Sequence, residues 1–204
     1  MEATIDDSLT GREGIHAGRA ELRRALDRLL KPHPGDRPGL VSRAVAVGEG
    51  PTHPKGRVFL YRDVLEELTK ACRYREAAAM ALLWGDYGFD ARGLYVEVEG
   101  YTGMEYLGQR SLLEGVGEAV EDWWKRDDAA QGLVGYVAMV PGSQAMLGRE
   151  MARAHLSYFN GPQQVAVVID GPGDRIGFYR RGGEGAFVNQ GFFVVEEGSQ
   201  LMAR

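Results

Sequence analysis

Four histidines, one cysteine and a glutamate heading an apolar run are the side chains here whose types could carry chemistry. His16, His33 and His53 fall in stretches rich in Gly, Pro and charge, where a solvated polar residue is the usual occupant. His155 falls in an amphipathic run and is expected on the rim of a helix. A metal site drawing His33 and His53 onto Glu76 would use ligand types that suit first-row metals, but no spacing in the chain brings the three together. Cys72 is the only cysteine, so neither an internal disulfide nor a cysteine-type zinc site can form. It lies among apolar helical positions and reads as a small buried hydrophobe. No Gly-x-Ser-x-Gly elbow occurs. Gly171-Pro172-Gly173-Asp174 and Gly182-Gly183-Glu184-Gly185 lack the lysine and strand-to-helix setting of a phosphate loop, and both read as turns.

The bulk properties narrow the classes. A chain of 204 residues is one ordinary domain with an extension, or two small ones, and 44% hydrophobic residues suffice for a core. The net charge of −5 argues against a dedicated nucleic-acid binder; the nearest basic patch is Arg23, Arg24, Arg28 and Lys31. No window approaches the ~20 apolar residues a bilayer demands. The acidic start, Met1-Glu2-Ala3-Thr4-Ile5-Asp6-Asp7, has no apolar signal core, so cytoplasm is the expected location.

The elements that must position these residues are legible as patterns. An amphipathic helix is expected from Ala17 to Leu30, with Leu22, Leu26, Leu29 and Leu30 on one face and Pro32 and Pro34 ending it. Residues 1–31 are read as this helical extension and 32–55 as a Pro/Gly-rich tether interrupted by the apolar piece Leu40–Val47, strand or helical turn. The main domain is expected over 56–197, with 198–204 as a tail. It opens with a strand at Val58–Tyr61 and a helix capped by Asp63 that buries Val64, Leu65, Leu68 and Cys72. Ala77–Trp84 reads as a strand buried on both faces, and Leu94–Glu99 as one with a wet face. A helix over Gln109–Lys125 carries Trp123 and Trp124, and Gly115 and Gly117 inside it suggest close approach of another backbone. Then follow a strand at Leu133–Val140, a helix at Gln144–Phe159, a hairpin of Val165–Ile169 with Ile176–Arg180, and a last strand at Ala186–Val195. The class is α/β (α+β): a mixed sheet with helices on its faces.

Three pieces in this order resemble the JAB/MPN family, whose active members, the JAMM metalloproteases, remove ubiquitin-like modifiers or cleave peptides. Val58–Leu68 is similar to its first strand and helix. Arg75–Gly85 is similar to its strand of Glu, small residues and Leu-Leu-x-Gly. Gly135-Tyr136-Val137-Ala138-Met139-Val140-Pro141-Gly142 occupies the place of Gly-Trp-x-His-x-His-Pro-Gly. The resemblance implies a zinc ion on two histidines and an aspartate, a glutamate polarising the metal-bound water, and an oxyanion-stabilising serine. The histidine positions fall here on Ala138 and Val140, the serine position on Gly148 and the aspartate position on Met151. Neither Ala138 nor Val140 has a lone pair to give a metal, Gly148 offers no hydroxyl and Met151 no carboxylate, and only Glu76 matches.

The resemblance thus implies a metal-free member without catalytic residues or cofactor, in which Glu76 is vestigial. The expected role is a scaffold that self-associates or pairs with a partner protein, with Leu22, Leu26, Leu29, Trp123 and Trp124 as interaction candidates. A metal-dependent peptidase or deubiquitinase-like hydrolase with a relocated site is the alternative. A third reading is capture of a ubiquitin-like or peptide segment along a strand edge, with Trp84, Tyr87, Phe89 and Tyr101 to Tyr106 lining the groove.

Overall fold

The computed structural model describes residues 33–34, 44–47, 56–73, 76–90, 93–126, 132–161, 163–171, 175–182 and 186–195. The expected N-terminal helix with Leu22, Leu26 and Leu29, His16, His53 and the 198–204 tail lie outside the described residues. Two short strands, β1 (His33–Pro34) and β2 (Ala44–Val47), fall in the stretch read as a tether. From residue 56 on, the elements are β3 (Arg57–Tyr61), α1 (Arg62–Arg73), β4 (Ala79–Asp90), β5 (Gly93–Tyr101), β6 (Glu105–Tyr106) and α2 (Leu112–Trp124). Then come β7 (Gly132–Met139), α3 (Arg149–Tyr158), β8 (Val165–Asp170), β9 (Arg175–Arg181), β10 (Phe187–Gln190) and β11 (Phe192–Val195).

All eleven strands join one mixed sheet in the order β10-β9-β8-β7-β4-β5-β3-β11-β2, with β1 and β6 attached to β4. The last two strands are separated only by Gly191. β10 pairs with β9 at one end of the sheet, while β11 lies between β3 and β2 at the other. The final strand therefore draws the two ends together, and the sheet nearly closes on itself.

Alternation decides which helix packs where. Val58 and Leu60, Val96 and Val98, Val137 and Met139, and Val165, Val167 and Ile169 face one side with Val64, Leu68 and Cys72 of α1. Met80, Leu82, Tyr136, Ala138, Ala166 and Val168 face the other, against Val116, Val120 and Trp123 of α2 and Met151 and Ala154 of α3. Central strands buried on both faces have no wet side to mark with polar residues, which is why Ala79–Leu83 and Leu133–Met139 are apolar throughout.

The element boundaries depart from the sequence patterns for physical reasons. β4 runs on to Asp90 because its second half pairs with β5 across a register shift at Trp84/Gly85. Asp63 sits inside the first turn of α1, where its Oδ1 accepts the Val64 N–H at 2.8 Å. α2 starts at Leu112 because Ser111 builds a capping box with Glu114. Glu150 of α3 reaches across to accept the Leu112 N–H at 2.7 Å. Ser111→Ala should cost about 1 kcal/mol, seen as a lower urea midpoint at unchanged slope; an unmoved midpoint would mean that Glu150 alone suffices.

The helix expected from Gln144 begins only at Arg149, since Gln144 and Ala145 adopt positive φ of 53° and 58°. Two such residues in succession are costly, about 1–2 kcal/mol each. Asp170 holds them by accepting the Gly142 and Gln144 N–H groups at 2.9 and 3.0 Å, and the Tyr179 hydroxyl donates to the Ala145 carbonyl at 2.8 Å. At Gly115 and Gly117 the close approach comes from side chains rather than another backbone. A Cβ at Gly115 would lie 2.5 Å from the Leu107 side chain, and one at Gly117 would strike the Tyr158 hydroxyl.

Candidate functional site

The antiparallel pairing of β4 with β7 places Ala79 opposite Met139, so β4 starts at the sheet end where β7 delivers Val140. Ala138 is fully buried and Val140 packs beside it on the same side. Gly148 is the N-cap of α3, and Met151 lies in that helix's first turn with its side chain in the same cluster. A Cβ at Gly148 would lie 3.4 Å from the Met151 methyl. Ala138, Val140 and Met151 thus belong to one apolar cluster, and Gly148 abuts Met151. The Tyr136 hydroxyl ties strand to helix by donating to the Met151 carbonyl at 2.6 Å, and burial pushes its pKa up. Glu76 is exposed, three residues ahead of β4. Among the described residues no group of three or more His, Cys, Asp or Glu is placed to hold a metal ion.

His155 is not on a rim: it is 0% exposed, enclosed by Tyr136, Phe159 and Phe187 with ring centroids 6.1, 5.8 and 5.2 Å away. Neither ring nitrogen has a hydrogen-bond partner. Burial, reinforced by Arg181 and then Arg180, pushes its pKa down to about 3, so the imidazole is neutral across the physiological range. Cys72 is buried, as expected. The interior also holds a charge: Arg180, 2% exposed, lies on the same face of β9 as Phe178. Burial lowers its pKa to about 10, which leaves it cationic at neutral pH.

The aromatic residues suggested for a peptide groove are divided between the two faces. Tyr87 is buried in the α1-side core with Tyr101 against it, Trp84 packs on the α2 side, and Tyr106 is 54% exposed. The side chain of Phe89 lies outside the described residues.

An open cleft exists elsewhere. It has a volume of about 460 Å³ and lies between the last turns of α2 and the link from β5 to β6. Its apolar lining is Leu82, Met104, Ala119 and Trp123; its polar lining is Thr102, Glu105, Asp122 and Arg126. Trp123 is 5% exposed, its indole N–H has no hydrogen-bond partner, and the Arg126 guanidinium stacks 5.2 Å from its ring. Trp124 is half-buried against the same core. The Thr102 hydroxyl accepts the Leu82 N–H at 2.9 Å, which fixes the loop as one wall. Of the two expected interaction residues that are described, Trp123 lines the cleft and Trp124 does not. The stretch Tyr101 to Tyr106, suggested for a peptide groove, supplies the loop wall through Thr102, Gly103, Met104 and Glu105, and its place depends on β6 pairing back onto Ala79 and Met80.

No helix among the described residues is long and apolar enough to cross a membrane. No family model matches the chain, and no curated protein matches it. Among solved structures, the solution structure of protein DSY2949 from Desulfitobacterium hafniense is similar at TM-score 0.50 and 18% identity. The match covers 72% of this chain and 99% of that one. Likeness at that identity carries the fold alone; among the described residues of this chain that fold is a mixed α/β architecture, mostly strands, with three helices and a nearly closed sheet.

Proposed function

We propose that this chain is a non-catalytic, JAB/MPN-like protein-interaction module that works in the cytoplasm by self-association or by pairing with a partner protein. The observation that carries this reading is the apolar cluster of Ala138, Val140 and Met151 beside Gly148. Hydrolysis by the family's route needs three protein ligands on a metal whose bound water is brought to a neutral pKa. Side chains of carbon and sulfur packed into a core offer no such set, and Glu76 is then a carboxylate without a water to polarise. Exposed Tyr106, Met146 and Leu156, at 54%, 61% and 41%, supply apolar surface for contacts.

Elemental analysis of protein purified without chelator, and again after equilibration with zinc, tests the non-catalytic half. Less than about a tenth of a zinc per chain is expected in both. Near one zinc per chain, with a peptidase activity that Glu76→Gln abolishes, would replace the reading by a metallohydrolase. Sedimentation equilibrium tests the other half: mass should rise with concentration, or a defined second chain should co-sediment. A monomer at every concentration, without a co-purifying chain, would remove the interaction reading.

A further inference from the structure

We propose that the outward faces of α2 and α3 form a two-fold interface between two copies of this chain, α3 of each laid against α2 of the other. The inference rests on the self-association half of the proposed function and gives it a surface. The two helices lie side by side on one face of the sheet. The Glu150 carboxylate accepts the Leu112 N–H, and Met151 and Ala154 share a core with Val116 and Val120. What each helix turns outward differs in sign. α3 exposes Arg149, Arg153 and Leu156 on successive turns of one face. α2 exposes Glu114, Glu118, Glu121 and Asp122, and has no basic residue between Leu112 and Trp124.

Within one chain both faces carry charge at a local cost. Arg149 stands in the first turn of α3, where the positive end of the helix dipole repels a cation. Arg153 follows one turn later, which adds a like-charge pair. Glu150, the one carboxylate of that helix, is turned away to the Leu112 N–H. Among the described residues neither arginine makes an ion pair or a hydrogen bond. On α2, Glu118 stands one turn from both Glu114 and Asp122, a second run of like charge. Its ion pair with Arg110 is solvent-exposed and therefore weak. A two-fold axis relieves both faces at once, because an isologous contact is made in each direction. An acidic partner of another kind would answer α3 alone and leave the acids of α2 opposite nothing. Opposed charges set the register, and exposed Leu156 and Met146 add apolar surface to withdraw from water.

Sedimentation equilibrium of the full chain tests the interface through paired charge reversals at exposed positions. Arg149→Glu with Arg153→Glu, or Glu118→Arg with Glu121→Arg, should each raise the dimer dissociation constant at least about a hundredfold, since like charges then meet at every contact. An equimolar mixture of the two reversed chains should dimerise again as one copy of each, and that rescue also shows both to be folded. Where a reversed chain does not fold, the neutral pair Arg149→Gln with Arg153→Gln should still weaken the dimer about tenfold. Self-association untouched by these substitutions would overturn this interface and leave self-association itself standing. Folded reversals that weaken the dimer without rescue on mixing would overturn the opposition of the two faces. A parent chain that is monomeric at every concentration would overturn the interface together with the self-association half of the proposed function.

Discussion

Replacing Gly135 with alanine should leave the chain unable to hold its central sheet. Gly135 lies in β7 and is the register partner of Val165 in β8. A Cβ there would fall deep inside contact distance of the Val165 carbonyl oxygen and 3.0 Å from a Val165 methyl. The obstacle is backbone, so no rotamer change relieves it. Nor can β7 retreat, since the next residue, Tyr136, is already paired with Leu82 of β4 on its other side. The loss should reach about 4 kcal/mol, among the largest single-site effects, against a total stability of about 5–15 kcal/mol. Urea denaturation should show a collapsed midpoint, or expression should yield insoluble protein. Gly103→Ala is the control: nothing lies within 4 Å of its Cβ position, so its effect should stay within about 0.5 kcal/mol. A Gly135→Ala protein as stable as its parent would mean that β7 and β8 are not in this register.

How much of this fold the sequence reveals depends on how local each cause is. The buried strands at Ala79–Leu83, Leu133–Met139 and Val165–Ile169 are legible because two covered faces leave an unbroken apolar run. α2 is legible because Leu112, Val116, Val120 and Trp123 recur on one face. What is lost is whatever rests on contacts distant in sequence. The late start of α3 depends on Asp170, 26 residues beyond Gln144. The near closure of the sheet depends on Gly191 dividing one apolar run between β9 at one end and β3 at the other.

The candidate site shows the same division. Ala138 is legible as core from the apolar run it sits in, and Met151 from its place on the apolar face of α3. The cleft could not be read this way. Glu105 and Asp122 are 17 residues apart in the sequence, and each is an ordinary surface acid in its own segment. Only the return of β6 to the start of β4 places one across from the other. His155 was misplaced for a related reason. Histidine at the end of an amphipathic helix is usually wet, and its burial is caused by Phe187, 32 residues later, closing over it edge-on.

That burial has a consequence for stability, and its sign is fixed by the two protonation states. Unfolded, His155 takes up a proton near its ordinary value of 6.5; folded, it does so only at about 3. Between these values the unfolded chain binds one more proton than the folded one, so stability must fall as pH drops. The contribution is fully present above about pH 6.5 and is withdrawn on descending to about 3, amounting to about 4–5 kcal/mol at 1.4 kcal/mol per unit. His155→Leu keeps the volume roughly and removes the proton site. Its stability, from urea midpoints at a series of pH values, should fall less steeply between pH 6.5 and 4 than that of the parent chain. The parent's His155 ring carbon signal should likewise stay at its neutral position down to pH 4. Parallel stability curves, or a ring that titrates near 6.5, would show that Phe187 opens often enough to let water reach the imidazole, and that β10 is held to β9 only loosely.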